Sequence, residues 1–128
     1  MLDHIGISVA DFERSKVFYT KSLAPLSIAL MKDVSAAQTG ASAHAGFGKD
    51  GKPFFWIGTG NHASGHLHIA FIAPRRSDVE AFYRAAIDAG GTDNGSPSPR
   101  PQYHPSYFGA FVLDPDGNNV EAVCHKPE

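Results

Sequence analysis

The chain repeats itself at a spacing of 64 residues, half of its length of 128. A His-Ile pair opens each copy, at His4 and His68, and a Phe-Tyr pair follows at the same distance, at 18–19 and 82–83. Self-similarity at a fixed period is typical of an architecture built from copies of one structural unit. We therefore expect two related modules, each opening with a histidine on a strand.

Composition and charge argue against several classes of partner. Eleven basic residues face thirteen acidic ones, so there is no charge excess to attract a nucleic-acid backbone. No apolar run nears the roughly 20 residues that span a bilayer. Cys124 is the only cysteine, and the first residues lack the basic and apolar segments of a signal peptide. We expect one globular domain over 1–128, in the cytoplasm, with no membrane or nucleic-acid partner.

Each module is expected to contain a strand, a helix and three further strands, which makes the chain α+β. Module 1 is expected over about 1–60 and module 2 over about 65–125. Apolar and polar side chains alternate over 2–9 and over 67–72, the pattern of a strand with one buried face. Turn residues bound the other predicted strands, at 27–32, 41–48, 54–58, 91–94, 107–114 and 118–124.

Capping residues predict where the two helices begin. Asp11 is a good N-cap for a helix over 12–23, and the capping box Ser77-Asp78-Val79-Glu80 predicts the start of the second helix, which Gly90-Gly91 stops. A polar link at 59–65 is expected to join the modules. The stretch 95–106 contains four prolines and is predicted to be an irregular loop.

The repeated histidines are candidates for a binding site. His4 and His68 lie on the polar face of their strands, opposite the face expected to receive the helices. Glu121 is the only glutamate on a predicted strand, in the run Val120-Glu121-Ala122-Val123. Burying an unpaired carboxylate is unfavourable, so Glu121 needs a cationic partner, hydrogen bonds or a metal.

Two histidines and one carboxylate form a common shell for zinc or for Fe(II) and related ions. We therefore expect His4, His68 and Glu121 to bind a divalent metal: zinc, nickel, manganese or iron. A strand histidine more often belongs to the core or the surface, and this alternative stays open for each one alone. The Phe-Tyr pairs are interpreted as core packing between helix and sheet.

Three segments resemble one known family. They are Leu-Asp-His-Ile-Gly-Ile-Ser-Val at 2–9, His-Ile-Ala-Phe at 68–71 and Phe-Val-Leu-Asp-Pro-Asp-Gly-Asn-Asn-Val-Glu-Ala-Val at 111–123. Together with the two-module order, they are similar to the vicinal oxygen chelate superfamily. That superfamily includes glyoxalase I, extradiol dioxygenases, fosfomycin-resistance thiol transferases and bleomycin-binding proteins. The string Tyr-His-Pro-x-Tyr at 103–107 resembles a glyoxalase-like subgroup.

The resemblance implies paired βαβββ modules whose curved, mixed sheets form a barrel-like cleft around a metal and a small-molecule substrate. His4, His68 and Glu121 match three of the family's ligand positions. It also implies a homodimer, and some members exchange modules so that one site takes residues from two chains. The fourth ligand of glyoxalase I has no match, because two possible alignments put Phe55 or Ile57 at its position, and neither side chain can ligate.

Isomerisation of a glyoxalase substrate needs a base that carries a proton between neighbouring carbons. Glu121 and His104 are the catalytic candidates, and His44 is a further candidate base. Tyr103 and Tyr107 flank His104 in a proline-rich stretch, where they offer stacking surface and hydrogen-bond groups. They are interpreted either as a substrate-facing wall or as anchors that hold a long loop, and both interpretations stay open.

Three functions are consistent with these residues. The first is a glyoxalase-like lyase or isomerase acting on a small substrate chelated to the metal, and the second is an extradiol-type dioxygenase using Fe(II). The third is a metal-free, bleomycin-resistance-like protein that binds an aromatic molecule in an apolar cleft. The residues predicted to contact a substrate in such a cleft are Phe54, Phe55, Trp56, Tyr103 and Tyr107. A fosfomycin-type transferase is disfavoured, because no basic cluster for a phosphonate is apparent.

Overall fold

A computed structural model describes residues 2–34, 42–60 and 67–128 and contains both predicted modules. The elements of module 1 are β1 (Ile5–Ser8), α1 (Phe12–Leu23), β2 (Ala29–Val34), β3 (His44–Lys49) and β4 (Lys52–Gly58). The elements of module 2 are β5 (His68–Ile72), α2 (Arg76–Asp88), β6 (Thr92–Pro99), β7 (Phe108–Leu113) and β8 (Asn119–Cys124). One turn of 3₁₀ helix, Ala24–Leu26, follows α1.

Each module forms its own four-stranded mixed sheet. The strand orders are β1-β4-β3-β2 and β5-β8-β7-β6, so the two topologies are the same. The first strand of each module pairs in parallel with the last, and the other pairs are antiparallel. In the part of the chain that the structure describes, the two sheets do not join, so the expected barrel-like cleft is not a closed barrel.

The helix starts agree with the sequence prediction in one module only. Asp11 caps α1, because its Oδ1 accepts a hydrogen bond from the backbone N–H of Arg14 at 3.1 Å. The predicted capping box at Ser77 is wrong, since Arg75 is the N-cap and α2 begins at Arg76, two residues earlier than a cap at Ser77 implies. The guanidinium of Arg75 instead donates to Asp78 at 3.0 Å and fixes the first turn.

Strand β6 extends through residues that were predicted to form a loop. It runs to Pro99 and pairs with β7 through two register shifts, at Asp93/Gly95 and Gly95/Ser98. Prolines are tolerated here because β6 is the outer strand of its sheet and needs no second row of ladder hydrogen bonds. Of the predicted link at 59–65, residues 61–65 lie outside the described residues.

Each helix packs on the sheet of its own module. Helix α1 contacts β2, β3 and β4, helix α2 contacts β6, β7 and β8, and the two helices contact each other. Buried side chains from both modules form one continuous hydrophobic core, in which Phe18, Tyr19 and Phe82 are fully buried. The polar faces of the two sheets are therefore directed away from this shared core. No described helix is long and apolar enough to cross a membrane.

Candidate functional site

The outer face of the second sheet brings His68 and Glu121 together. Strand pairing aligns Glu121 with Ala70 on one side and Phe111 on the other. His68 begins β5 on the same face, and its Nε2 lies 3.1 Å from Oε1 of Glu121. The glutamate is only 1% exposed, whereas the imidazole is half exposed. The buried carboxylate predicted at this position thus has a histidine partner that is open to solvent.

The hydrogen bond at the other ring nitrogen determines what Nε2 of His68 can do. Nδ1 lies 3.1 Å from the backbone carbonyl oxygen of Asn119, which can only accept, so Nδ1 carries the proton. In the neutral imidazole, Nε2 then presents a lone pair to the carboxylate of Glu121. Two acceptors this close require a cation between them, either a second proton on the imidazole or a metal ion.

Tyr107 holds the other oxygen of the carboxylate. Its hydroxyl donates a short hydrogen bond to Oε2 of Glu121. Burial, together with this hydrogen bond, raises the pKa of Tyr107 well above its usual value, so the hydroxyl keeps its proton. Gly109 provides the space for this pair: a Cβ there would lie 3.1 Å from Oε2 and 3.2 Å from the tyrosine ring.

We expect Gly109→Ala to destabilise the protein by about 1–3 kcal/mol, because the added methyl group overpacks the Tyr107–Glu121 pair. Urea unfolding at fixed protein concentration measures this change. Gly6→Ala is the matched control, since a Cβ at Gly6 meets its nearest atom at an ordinary 3.8 Å. Equal stability of the two variants would contradict this account of Gly109.

On the outer face of the first sheet, His4 presents the same ring nitrogen. Its Nδ1 lies 2.7 Å from Oδ1 of Asp3, and Nζ of Lys52 lies 2.7 Å from the same oxygen. The hydrogen bond from Lys52, followed by that from His4, lowers the pKa of Asp3, which therefore stays an acceptor. In both histidines, Nδ1 is thus hydrogen-bonded to an oxygen atom, which leaves Nε2 as the nitrogen that can contact another group.

Trp56 stands where module 1 would need a counterpart of Glu121. Gly6 corresponds to Ala70 in the repeat, and their partners on the neighbouring strand are Trp56 and Glu121, respectively. The prediction of Phe55 or Ile57 at this position is therefore wrong by one residue. A bulge in β4, where Phe47 and Gly48 of β3 pair with residues 55 and 53, explains the count from Gly51 that gave Phe55. The conclusion that this position cannot ligate a metal is unchanged.

The indole of Trp56 lies directly over Gly46. A Cβ at Gly46, on the adjacent strand, would lie 2.8 Å from the indole ring. The imidazole of His44 packs against the indole edge-on, with 5.9 Å between ring centroids. These rings and His4 line a cavity of about 520 Å³. The predicted contact between Trp56 and a substrate stays a prediction, and this cavity is the space in which a substrate would lie.

Phe55 is fully buried although it borders the cleft between β1 and β5, so its predicted contact with a substrate stays a prediction. Its side chain has no exposed surface and points into the core, where its ring packs against Tyr19 at 4.9 Å and Phe71 at 5.4 Å between centroids. The reason is the one-residue shift in β4, which turns Trp56 outward and both neighbours inward. Phe55 lies beneath the floor of the adjacent cleft.

One chain does not gather the three predicted metal ligands around a single point. His4 and His68 both border a cleft of about 330 Å³ at the seam between β1 and β5. Among residues 2–34, 42–60 and 67–128, however, no three His, Cys, Asp or Glu side chains are arranged to hold a metal ion. A single chain therefore brings His68 and Glu121 together and leaves His4 outside that pair.

The predicted catalytic residue His104 lies in the loop between β6 and β7, where both ring nitrogens have protein partners. Nδ1 accepts from the backbone N–H of Ser106 at 3.0 Å, and Nε2 lies 2.9 Å from Nδ1 of His125. The rings of His104, His125 and Tyr103 all pack around Tyr107. This arrangement agrees with the loop-anchor interpretation, while Tyr103, 58% exposed, still offers stacking surface. The proton-transfer role of His104 stays a prediction.

The sequence interpretation missed the Tyr107–Glu121 bond and the neighbouring residues Phe111 and Arg100. The phenyl ring of Phe111 stacks on His68 with 6.2 Å between centroids, and the guanidinium carbon of Arg100 lies 5.1 Å from the centre of that phenyl ring. The sequence did contain a signal for these residues. The turn at 114–117 joins β7 and β8 into a hairpin, and in this hairpin Phe111 lies opposite Glu121. Strand alternation then puts Tyr107 and Gly109 on the same face.

Comparisons with known proteins agree with this architecture. Among solved structures, a glyoxalase/bleomycin resistance protein from Albidiferax ferrireducens T118 is 27% identical, with 99% of each chain covered and a TM-score of 0.78. Glyoxalase I from Zea mays is 20% identical over 99% of this chain and 45% of its own, with a TM-score of 0.70. This chain thus spans about half the length of the maize protein. Among curated proteins, no sequence matches the chain.

A further structural relative contains a metal. It is a mutant of the fosfomycin resistance protein FosX from Listeria monocytogenes, complexed with Mn(II) and 1S,2S-dihydroxypropylphosphonic acid. It is 18% identical over 95% of this chain and 87% of its own, with a TM-score of 0.65, a likeness of fold. The sequence model of one family matches residues 1–122. The chain therefore belongs to the Glyoxalase/Bleomycin resistance protein/Dioxygenase superfamily.

Proposed function

We propose that this protein is a metal-dependent enzyme of the lyase or isomerase type that acts on a small substrate with two neighbouring oxygen atoms. The observation that carries the proposal is the His68–Glu121 pair. Nε2 of His68 and Oε1 of Glu121 lie 3.1 Å apart, with the imidazole proton held on Nδ1. That arrangement leaves two donor atoms directed at one shared position.

The donor set fits a divalent metal ion. Two ligands bound at about 2.1 Å and at a right angle to each other would lie roughly 3.0 Å apart, close to the observed separation. The backbone carbonyl at Nδ1 of His68 is the kind of outer partner that orients metal-bound histidines, and Asp3 has the same relation to His4. His4, His68 and Glu121 would hold the metal, and Trp56 leaves the fourth position open for substrate.

Each side chain then has a defined part in the chemistry. When bound, a divalent metal would polarise the substrate oxygens as a Lewis acid and act as a template. Tyr107 keeps its proton and occupies Oε2 of Glu121, so Oε1 is the oxygen available both to hold the metal and to serve as base. Oε1 would have to leave the metal before it could accept a proton from the substrate. The proton-transfer role proposed for Glu121 is thereby assigned to one atom.

We further propose that two copies of the chain complete each site. Within the described residues, one chain brings His68 and Glu121 together and leaves His4 outside that pair, although His4 and His68 border the same cleft. In a twofold dimer, the module 1 face of one copy can cover the module 2 face of the other, and symmetry then forms two equal sites. Each site would take His4 from one copy and His68 with Glu121 from the other.

Hybrid dimers of His4→Ala and Glu121→Ala test this arrangement. Each variant alone is expected to lose stoichiometric metal, because every site lacks a ligand. A dimer with one copy of each variant has one site with both substitutions and one intact site, so it should recover one metal ion per dimer. Differently tagged chains allow purification of the hybrid, and elemental analysis counts the metal. Glu80→Ala, on the exposed surface of α2, is the control that should keep full metal content.

The outcomes separate the two parts of the proposal. If the hybrid binds no metal while the unmodified protein does, the shared site is wrong and the metal enzyme stands. If the two single variants retain the metal content of the unmodified protein, the ligand assignment itself is wrong.

One observation favours the metal-free binding protein as a second candidate. Trp56 replaces a ligand with an indole that borders the cavity of about 520 Å³, a size suited to a small aromatic molecule. Under this alternative, an aromatic ligand binds equally well with and without a strong chelator. Loss of binding in the chelator favours the enzyme.

A further inference from the structure

We propose that Arg100 binds an anionic oxygen group of the substrate, so that the site selects small carboxylic acids over neutral molecules with the same chelating oxygens. This inference rests on the proposed metal site and adds the substrate class. It starts from a cationic side chain that the sequence pattern did not single out.

Arg100 is held in a defined position. Its Nη2 donates to the backbone oxygen of Ser96 at 2.9 Å, and its guanidinium carbon lies 5.1 Å from the centre of the Phe111 ring. A Cβ at Gly95 would lie 3.1 Å from Nη2 and 3.0 Å from that ring, and the backbone φ of Gly95 is +146°. The glycine thus provides both the conformation and the space that the guanidinium needs.

Phe111 connects this position to the His68–Glu121 pair. Phe111 pairs with Glu121 across the strands, and its ring stacks on the imidazole of His68 with an interplanar angle of 28°. The positive charge of Arg100 also acts on Tyr107, where it opposes the rise in pKa of the hydroxyl that binds Glu121. The guanidinium therefore contributes to the electrostatics of the outer face on which a substrate would lie.

The described residues leave the charge of Arg100 uncompensated. Among the ion pairs of the described ranges, none includes Arg100, whereas Arg75 pairs with Asp78 at 3.0 Å. Nε of Arg100 is buried and, like that of Arg76, has no hydrogen-bond partner among the described residues, so an incoming anion would meet the terminal Nη groups. A cation with unused donors, held next to a candidate metal pair, is suited to an incoming anion.

The chemistry of the guanidinium favours a carboxylate. Its planar fork of N–H groups matches two carboxylate oxygens at once, and charge-assisted hydrogen bonds of this kind are about twice as strong as neutral ones. A substrate that binds the metal through two neighbouring oxygens and carries a carboxylate at its far end would engage both groups. A neutral chelator of the same shape would engage only the metal.

Catechol and 3,4-dihydroxybenzoate are suitable probes, since they share the neighbouring oxygens and differ in one carboxylate. With Mn(II)-loaded protein, we expect the acid to bind at least about tenfold more tightly than catechol, measured by calorimetric titration. Arg100→Gln should reduce that preference to about twofold or less. Arg76→Gln is the matched control: its guanidinium also lies over a phenylalanine, Phe108 at 5.0 Å, but on the helix side of the sheet, so the preference should persist.

The results distinguish this inference from the metal site. An Arg100→Gln protein that keeps the full preference for the acid overturns the role of Arg100, even when catechol binds normally. If catechol fails to bind the Mn(II)-loaded protein, the metal site fails, and the role of Arg100 is then decided with benzoate and benzyl alcohol on metal-free protein. There, chemical-shift titration should show benzoate binding that is lost in Arg100→Gln, and equal binding of the two probes overturns the inference.

Discussion

Glu121→Gln is expected to lower the affinity for a divalent metal by at least about 100-fold, more than the 10- to 100-fold loss typical of changes to outer partners. The substitution keeps the shape of the side chain and its hydrogen bond with Tyr107, but removes the negative charge beside Nε2 of His68. Competition with a metal-sensitive dye measures the affinity.

The matched control is Glu80→Gln, the same chemical change on an exposed helix surface. It should leave the metal affinity within about twofold of the unmodified protein. An affinity of Glu121→Gln within about threefold of the unmodified protein would exclude Glu121 as a metal ligand and leave its carboxylate with a structural role only.

Phe55→Ala should reduce the free energy of unfolding by about 3–5 kcal/mol, the usual loss when a fully buried aromatic ring is removed. The ring packs against Tyr19 of α1, Phe47 of β3 and Phe71 of β5, so the cavity would open where the two modules meet. Urea unfolding at fixed protein concentration measures the loss, because the apparent stability of the proposed dimer would depend on concentration.

Phe54→Ala provides the comparison, since Phe54 precedes Phe55 but is only partly buried. Its loss should be less than half of that for Phe55→Ala. If Phe55→Ala instead kept its stability and weakened the binding of an aromatic ligand, Phe55 would belong to the substrate cleft, against the burial seen here.

The alternating pattern of each strand predicted which side chains share a face, because side chains on a strand point to opposite sides in turn. This holds for His4 and Gly6 on one outer face and for His68 and Ala70 on the other. The same reasoning predicted that Glu121, alone in an apolar run, needs a partner, and the structure supplies His68 and Tyr107. The histidine positions and the buried carboxylate were therefore accessible from the sequence.

The relative placement of the modules was not accessible from alternation. The pattern identifies the apolar face of each sheet, but it does not say whether the two apolar faces share one core or whether the polar faces enclose one cleft. Here the described residues bring His68 and Glu121 together, whereas His4 stays outside that pair although it borders the same cleft as His68. That choice depends on contacts such as Phe55 with Phe71, which are far apart in the sequence.

The error at Trp56 has a local cause. Counting residues from the turn at Gly51 or along the repeat assumes that no residue is inserted in a strand. The bulge in β4 inserts one, at Phe54, so the count from Gly51 gives Phe55 instead of Trp56. The repeat count fails in the other direction, because Trp56 lies 52 positions after His4 whereas Glu121 lies 53 positions after His68. The chosen position was therefore Phe55 or Ile57, although the outward residue is Trp56.

Trp56 also gives this protein a built-in optical probe. It is the only tryptophan in the chain, so the intrinsic indole fluorescence has a single origin. That origin is the outer face of module 1, where the indole lies against Gly46 and next to His44. A ligand or a second copy that covers this face would change the emission directly, whereas occupation of a distant surface would leave it unchanged. Association and binding on this face can thus be followed on unlabelled protein.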